Sequence, residues 1–121
     1  MRREQRLRRR KDFAAAYRQG RVQGNQLLVL RVRPNRSGVT RFGFVAGKVV
    51  GGAVVRNRVK RRLREAARSI ETRPGLDIVI GARKSSATAD YRQLRQALTS
   101  LMKRTDVLAA PPAEAAGQEN A

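Results

Sequence analysis

Seven of the fifteen residues in VVRNRVKRRLREAAR, Val54 to Arg68, are Lys or Arg, and Glu65 is the only acid among them. Guanidinium and ammonium groups at this density suit the binding of phosphate, Lys as a point charge and Arg through a planar fork. They do not by themselves break a bond. The chain has no Cys and no His, which removes disulfides, thiol nucleophiles, imidazole acid-base chemistry and zinc sites. Up to Arg104 its acids are Glu4, Asp12, Glu65, Glu71, Asp77 and Asp90, scattered singly. A carboxylate cluster for a two-metal phosphodiesterase is therefore not expected.

The charge balance points to a partner. Within 121 residues, 28 basic against 9 acidic side chains leave a net charge of +19. Every Lys and Arg lies at or before Arg104, so the folded part is more basic still. Such a charge strains a compact domain by self-repulsion. A polyanion relieves it, nucleic acid being the commonest and an acidic membrane surface the other candidate. No apolar run follows the charged N-terminus. Neither a secretory signal nor a membrane span is expected, and the location expected is cytoplasmic.

The elements that must position these charges follow from periodicity. Residues 1–11, MRREQRLRRRK, read as a basic arm in which only Leu7 packs. A domain is expected over 12–104, and a disordered Ala/Pro-rich tail over 105–121. DFAAAYRQG reads as a short helix starting at Asp12 and stopped by Gly20, with Phe13 and Tyr17 on one face at i, i+4. A short strand near Arg21 to Gln23 precedes a strand from Asn25 to Arg33. In the latter Leu28, Leu30 and Val32 alternate with Val29, Arg31 and Arg33. VTRFGFVAG is expected as the next antiparallel strand, paired locally across a turn at Pro34 to Gly38. After Gly51 and Gly52 comes the central helix, Ala53 to Ile70. LDIVIGA follows as a buried strand, and then a last helix from about Thr88 to Arg104 with Tyr91, Leu94, Leu98 and Leu101 facing the core.

On a helical wheel Val55, Leu63, Ala66 and Ile70 fall within about 40° of Val59, while Asn57, Lys60, Arg61, Arg64 and Arg68 fall at roughly 100° to 200°. One helix thus offers an apolar seam inward and a cationic ridge outward. A merely solvated face would mix its signs to gain i, i+4 ion pairs. A nuclear localisation tag would not also supply Val59 and Leu63 to a core. Phe13 and Tyr17 are open to two readings, as core or as platforms on which unpaired bases stack. Phe42, Phe44 and Tyr91 read as core.

Arg56-Asn57-Arg58, with Val59-Lys60-Arg61 and Leu63-Arg64 after it, resembles the RNR signature of the bacterial ribonuclease P protein subunit family. The likeness spans residues 5 to 104. It includes Arg6-Leu7, Asp12-Phe13, Tyr17, Gly20, Gly43, Lys48, Gly51, Ala53-Val54, Asp77 to Ile80 and Ala82-Arg83-Lys84. The resemblance implies an α/β sandwich of order αβββαβα, similar to domains of a small-subunit ribosomal protein and of elongation factor G, with a left-handed β-α-β crossover, against the usual right-handed rule.

It further implies a protein subunit of a ribonucleoprotein endonuclease, which binds a catalytic RNA and the single-stranded 5′ leader of precursor tRNA to promote 5′-end maturation. Mg²⁺ would be held mainly by the RNA, the polypeptide would carry no catalytic residue, and no obligate protein partner or membrane is implied. The RNA-binding residues by resemblance are Arg56, Asn57, Arg58, Lys60, Arg61, Arg64, Arg68 and Lys48. Phe13, Tyr17 and Arg31 would line the leader cleft. Many members carry Ser-Lys-Lys and Gly-Asn before the signature, where this chain has Gly47-Lys48-Val49 and Gly51-Gly52. One cation and an Asn cap are absent. Arg31 stands at a sheet position that is often aromatic, so a guanidinium would replace a ring. The alternatives in other classes are a structural RNA-binding protein such as a ribosomal component, and a DNA-compacting protein. The latter is disfavoured because the charge sits within a mixed α/β pattern.

Overall fold

The computed structural model describes residues 2–109. Its elements are α1 (Arg10–Gln19), β1 (Arg21–Gly24), β2 (Leu28–Pro34), β3 (Arg41–Ala46), α2 (Ala53–Arg68), β4 (Leu76–Ala82) and α3 (Tyr91–Arg104). Short 3-10 turns occupy Arg3–Gln5, Lys48–Val50 and Lys84–Thr88. The order αβββαβα is the one expected.

Strand order departs from the sequence reading. β3 does not pair with β2: the sheet runs β1-β2-β4-β3, with β4 antiparallel to β2 and parallel to β3. The cause is β4 itself. Ile78, Val79 and Ile80 are buried on both faces of the strand, and a strand that is apolar on both sides belongs inside a sheet. β4 therefore inserts where a local hairpin would have put β3, and β3, α2 and β4 form a parallel β-α-β unit.

Each face of the sheet has its own core. Leu28, Leu30, Val32, Phe42, Ile78 and Ile80 meet α2 and α3, through Val59, Leu63, Ala66, Leu94, Leu98 and Leu101. A much smaller cluster of Leu7, Ala16 and Val79, with Phe13 and Val45 at its edge, lies under α1. On that α1 side the register aligns three rows: Gly24–Val29–Gly81–Val45, Val22–Arg31–Val79–Gly43, and Arg33–Asp77–Arg41.

Several boundaries move for local reasons. α1 starts at Arg10, with no side-chain cap, and Asp12 instead turns toward Arg41, 3.6 Å away. Gly20 ends α1 with an ordinary φ of −73°. Its lack of a side chain matters because a Cβ would lie 2.4 Å from the Ala16 carbonyl oxygen. β2 begins at Leu28 because Asn25 Oδ1 accepts from the amides of Leu27 (3.1 Å) and Leu28 (2.9 Å), closing a turn. α2 ends at Arg68, although Ile70 still packs on the core. α3 starts at Tyr91 behind a capping box, in which the Gln93 amide donates to Asp90 Oδ1 (2.8 Å) and the Asp90 amide donates to Gln93 Oε1 (2.9 Å). At this first helical position Tyr91 is 38 % exposed, not core. The first residues of the tail expected over 105–121 are ordered: Thr105 and Val107 are buried, and Leu108 bridges to Thr72. The rest of that tail, 110–121, lies outside the described residues. In the N-terminal arm Leu7 is buried as expected and its amide donates to the Phe42 carbonyl (2.8 Å), laying the arm on the outer edge of β3.

The core makes an unequal demand on the two sides of α2. Leu63→Ala is expected to cost about 2–5 kcal/mol of unfolding free energy, whereas Val54→Ala, at a position 80 % exposed, should stay within about 0.5 kcal/mol. Urea unfolding followed by circular dichroism measures both.

Candidate nucleic-acid interface

The cations of α2 divide by what they touch. Val59, Leu63, Ala66 and Ala67 face the core, so the remaining positions project to the flanks and outward. Asn57, Arg61 and Arg68 are exposed, while Arg56, Arg58, Lys60, Arg62 and Arg64 are half-buried. Arg58 Nη2 donates to the Ala87 carbonyl (3.2 Å) and Arg62 Nη1 to the Ala89 carbonyl (2.8 Å). These two fasten the Lys84–Thr88 turn to α2. Arg68 pairs with Glu65 at 2.9 Å on the surface, an interaction of small value. Arg64 lies over the Phe44 ring, 5.7 Å from its centroid, which makes Phe44 a half-buried platform as well as core. Among the described residues Arg56, Lys60, Arg61 and Arg64 have no acidic partner. Lys48 is exposed in the turn that leads into α2.

The second surface lies between α1 and the sheet. Phe13 is half-buried above Gly43, where a Cβ would come within 2.4 Å of the ring. Only glycine lets the ring settle onto the strand. One turn on, Tyr17 is 46 % exposed, and the Arg31 guanidinium stacks 4.4 Å from its centroid, a contact worth about 0.5–1 kcal/mol at such a site. The structure therefore brings Phe13, Tyr17 and Arg31 to one edge of α1. Beside them the row Gly24–Val29–Gly81–Val45 is only half-buried, leaving a shallow strip of small residues. Arg83 overhangs its end: a Cβ on Gly24 would lie 2.8 Å from Arg83 Nη2.

Both surfaces meet where β3 and β4 end. β3 runs into Lys48 and the start of α2, β4 into Arg83 and Lys84, and the two strands are parallel there. The sequence reading singled out neither Arg62 as a fastening residue nor Arg83 as part of the strip. Arg83 belonged to a motif that was noted, but its contact with Gly24 depends on long-range pairing.

Apart from Glu71, the acids of the described residues are committed elsewhere. Asp77 is fully buried between Arg33 and Arg41. Asp12 faces Arg41, Glu4 faces Arg2, Glu65 faces Arg68, Asp106 faces Arg73, and Asp90 caps α3. The hydrogen bond to Asp77 raises the Arg41 pKa, against the opposing effect of burial. Among the described residues no three metal-ligating side chains cluster, and no helix is long and apolar enough to cross a membrane. The donor set of the described residues thus does not fit a divalent ion held by three side chains. What the arrangement can do is hold phosphates on one surface and an extended, unpaired strand on the other.

Two neighbouring arginines of α2 should separate in solution. Arg61→Ala is expected to weaken RNA binding and flatten the plot of log affinity against log salt by about 1. Arg62→Ala should leave that slope nearly unchanged and lower stability by about 1 kcal/mol, the value of a lost hydrogen bond. Filter binding across a salt series and urea unfolding read the two effects.

A family model described as Ribonuclease P matches residues 1–106. The ribonuclease P protein component of Streptomyces avermitilis is 46 % identical over 112 residues, covering 84 % of this chain and 91 % of the relative. That of Clostridium botulinum strain Langeland is 38 % identical over 107 residues, covering 86 % and 96 %. In three dimensions the ribonuclease P protein of Thermotoga maritima superposes with a TM-score of 0.73 at 33 % identity, over 82 % of this chain and 96 % of that one. The Staphylococcus aureus protein gives 0.77 at 26 %, over 87 % and 98 %. With its four-stranded sheet, its cationic central helix and nearly its whole described length matched, the chain belongs to the ribonuclease P protein family.

Proposed function

We propose that this protein is the accessory subunit of a ribonuclease P holoenzyme, working in the cytoplasm on precursor tRNA. The outward cations of α2, led by Arg56, Lys60, Arg61 and Arg64, bind the phosphates of the catalytic RNA. Phe13, Tyr17 and Arg31 hold the single-stranded 5′ leader along the half-buried strip beside α1. The observation that carries this reading is the convergence of the two surfaces at the ends of β3 and β4, where Lys48, Arg83 and Lys84 gather. A leader lying in the strip would emerge beside the start of α2. Substrate and catalytic RNA would then be held side by side.

The polypeptide contributes charge and position. With most carboxylates of the described residues taken by guanidiniums or a helix cap, Mg²⁺ would be held by RNA phosphates, and such an ion would activate water and stabilise the leaving oxygen. Screening by the protein lets those phosphates approach each other with less bulk cation. Cleavage releases the leader and leaves a 5′-phosphate on the tRNA. A structural RNA-binding role, as in a ribosomal component, would need the same charge, but gives no reason for an aromatic-guanidinium stack beside an open strip.

Reconstitution tests the proposal. The protein, the cell's candidate catalytic RNA and a precursor tRNA are combined at low Mg²⁺, and 5′ cleavage should rise sharply when protein is added. No gain would remove the proposal. In the same assay Tyr17→Ala should weaken binding of full-leader precursor by about 5- to 10-fold, the loss of one stacked base, with affinity for the catalytic RNA unchanged.

A further inference from the structure

The row Arg33–Asp77–Arg41 lies under the flank of α1 that faces away from the leader strip. Asp77 is wholly buried in the central strand. Its carboxylate accepts two hydrogen bonds from Arg41, from Nε and from Nη2, each 2.9 Å, and one from Asn35 Nδ2 at 2.8 Å. Arg33 Nη1 stands 3.6 Å away. Each guanidinium then reaches up to the helix: Arg41 Nη1 is 3.6 Å from Asp12 Oδ2, and Arg33 Nε donates to Gln19 Oε1 at 3.2 Å. One buried carboxylate thereby ties down α1 at two points, two turns apart.

The placement of these ties matters. With Ala16 directed at the sheet, Asp12 and Gln19 fall about 40° to 60° to one side on a helical wheel, and Phe13 and Tyr17 about 60° to 100° to the other. The apolar contact between them is small: among the described residues Leu7, Ala16 and Val79 are its only buried members. Ala16 is a smooth pivot, and such a contact does little to fix rotation of the helix about its own axis. The polar ties on one flank set that rotation, and so set the height of Tyr17 over Arg31 and of Phe13 over Gly43.

We propose that Asp77 is a positioning residue for the leader groove, acting through Arg33 and Arg41 on Gln19 and Asp12 of α1. This rests on the groove reading given above. Stability alone gives weaker grounds for such a network, because well-packed apolar residues commonly replace a buried ion pair without loss.

The test uses holoenzyme reconstituted from the full chain and the catalytic RNA, with precursor tRNA carrying either a full leader or a single leader nucleotide. The variants are Asp77→Asn and the surface pair Asp12→Asn with Gln19→Ala, which cuts both ties without disturbing the buried carboxylate. The expected result for the pair is a roughly fivefold rise in KM on the full-leader substrate, part of one stacked base. There should be no change in kcat, in KM for the one-nucleotide substrate, or in affinity for the catalytic RNA. An unchanged KM on both substrates, or an equal rise on both, overturns the proposal while the groove reading stands if Tyr17→Ala still weakens binding of the full-leader substrate alone. A parent enzyme that gains nothing from the longer leader removes the groove and the clasp together. Should Asp77→Asn fail to fold, the surface pair decides.

Discussion

The constraint on which this structure depends is charge: 28 cationic side chains must be placed by a chain with nine carboxylates. The fold assigns them to different tasks. Asp77, the one fully buried acid among the described residues, neutralises and orients Arg33 and Arg41. Backbone carbonyls of Ala87 and Ala89 take Arg58 and Arg62, and the rings of Tyr17 and Phe44 take Arg31 and Arg64. The cations left over are spread over the N-terminal arm and α1, the outer side of α2, the ends of β3 and β4, and α3. Their repulsion is a standing cost to the folded state, and an RNA backbone relieves it.

The division of labour within one helix is instructive. Arg58 and Arg61 are three residues apart and the family resemblance made both RNA-binding residues, yet Arg58 holds a turn of its own chain while Arg61 points to solvent. A guanidinium fixed to a carbonyl through Nη2 still carries its full charge. The fastening cations therefore keep their charge, but their geometry serves the fold and not a phosphate contact.

The two faces of α2 were legible in the sequence because a period of 3.6 is a local property, and Val59 and Leu63 announce it. The pairing of Phe13 with Tyr17 was legible for the same reason. Strand order was not: nothing near β3 says that a strand thirty residues later will displace β2 as its neighbour, and only the unbroken apolar run at Ile78 to Ile80 hinted at a central place. Everything that depends on that order was hidden with it. Asp77 read as one scattered acid because Arg33 and Arg41 become its neighbours only when β4 lies between β2 and β3. Tyr91 was misassigned because spacing records direction around a helix, not distance from its buried middle. The packing of Val107 just after α3 left no periodic trace at all.

On the function proposed above, the polypeptide is a scaffold of fixed positive charge that positions RNA and leaves the breaking of bonds to it. Incubating the purified protein, freed of all nucleic acid, with precursor tRNA and Mg²⁺ examines this most directly. The account predicts no cleavage at the junction between leader and mature tRNA. Correct cleavage by the RNA-free protein would contradict it.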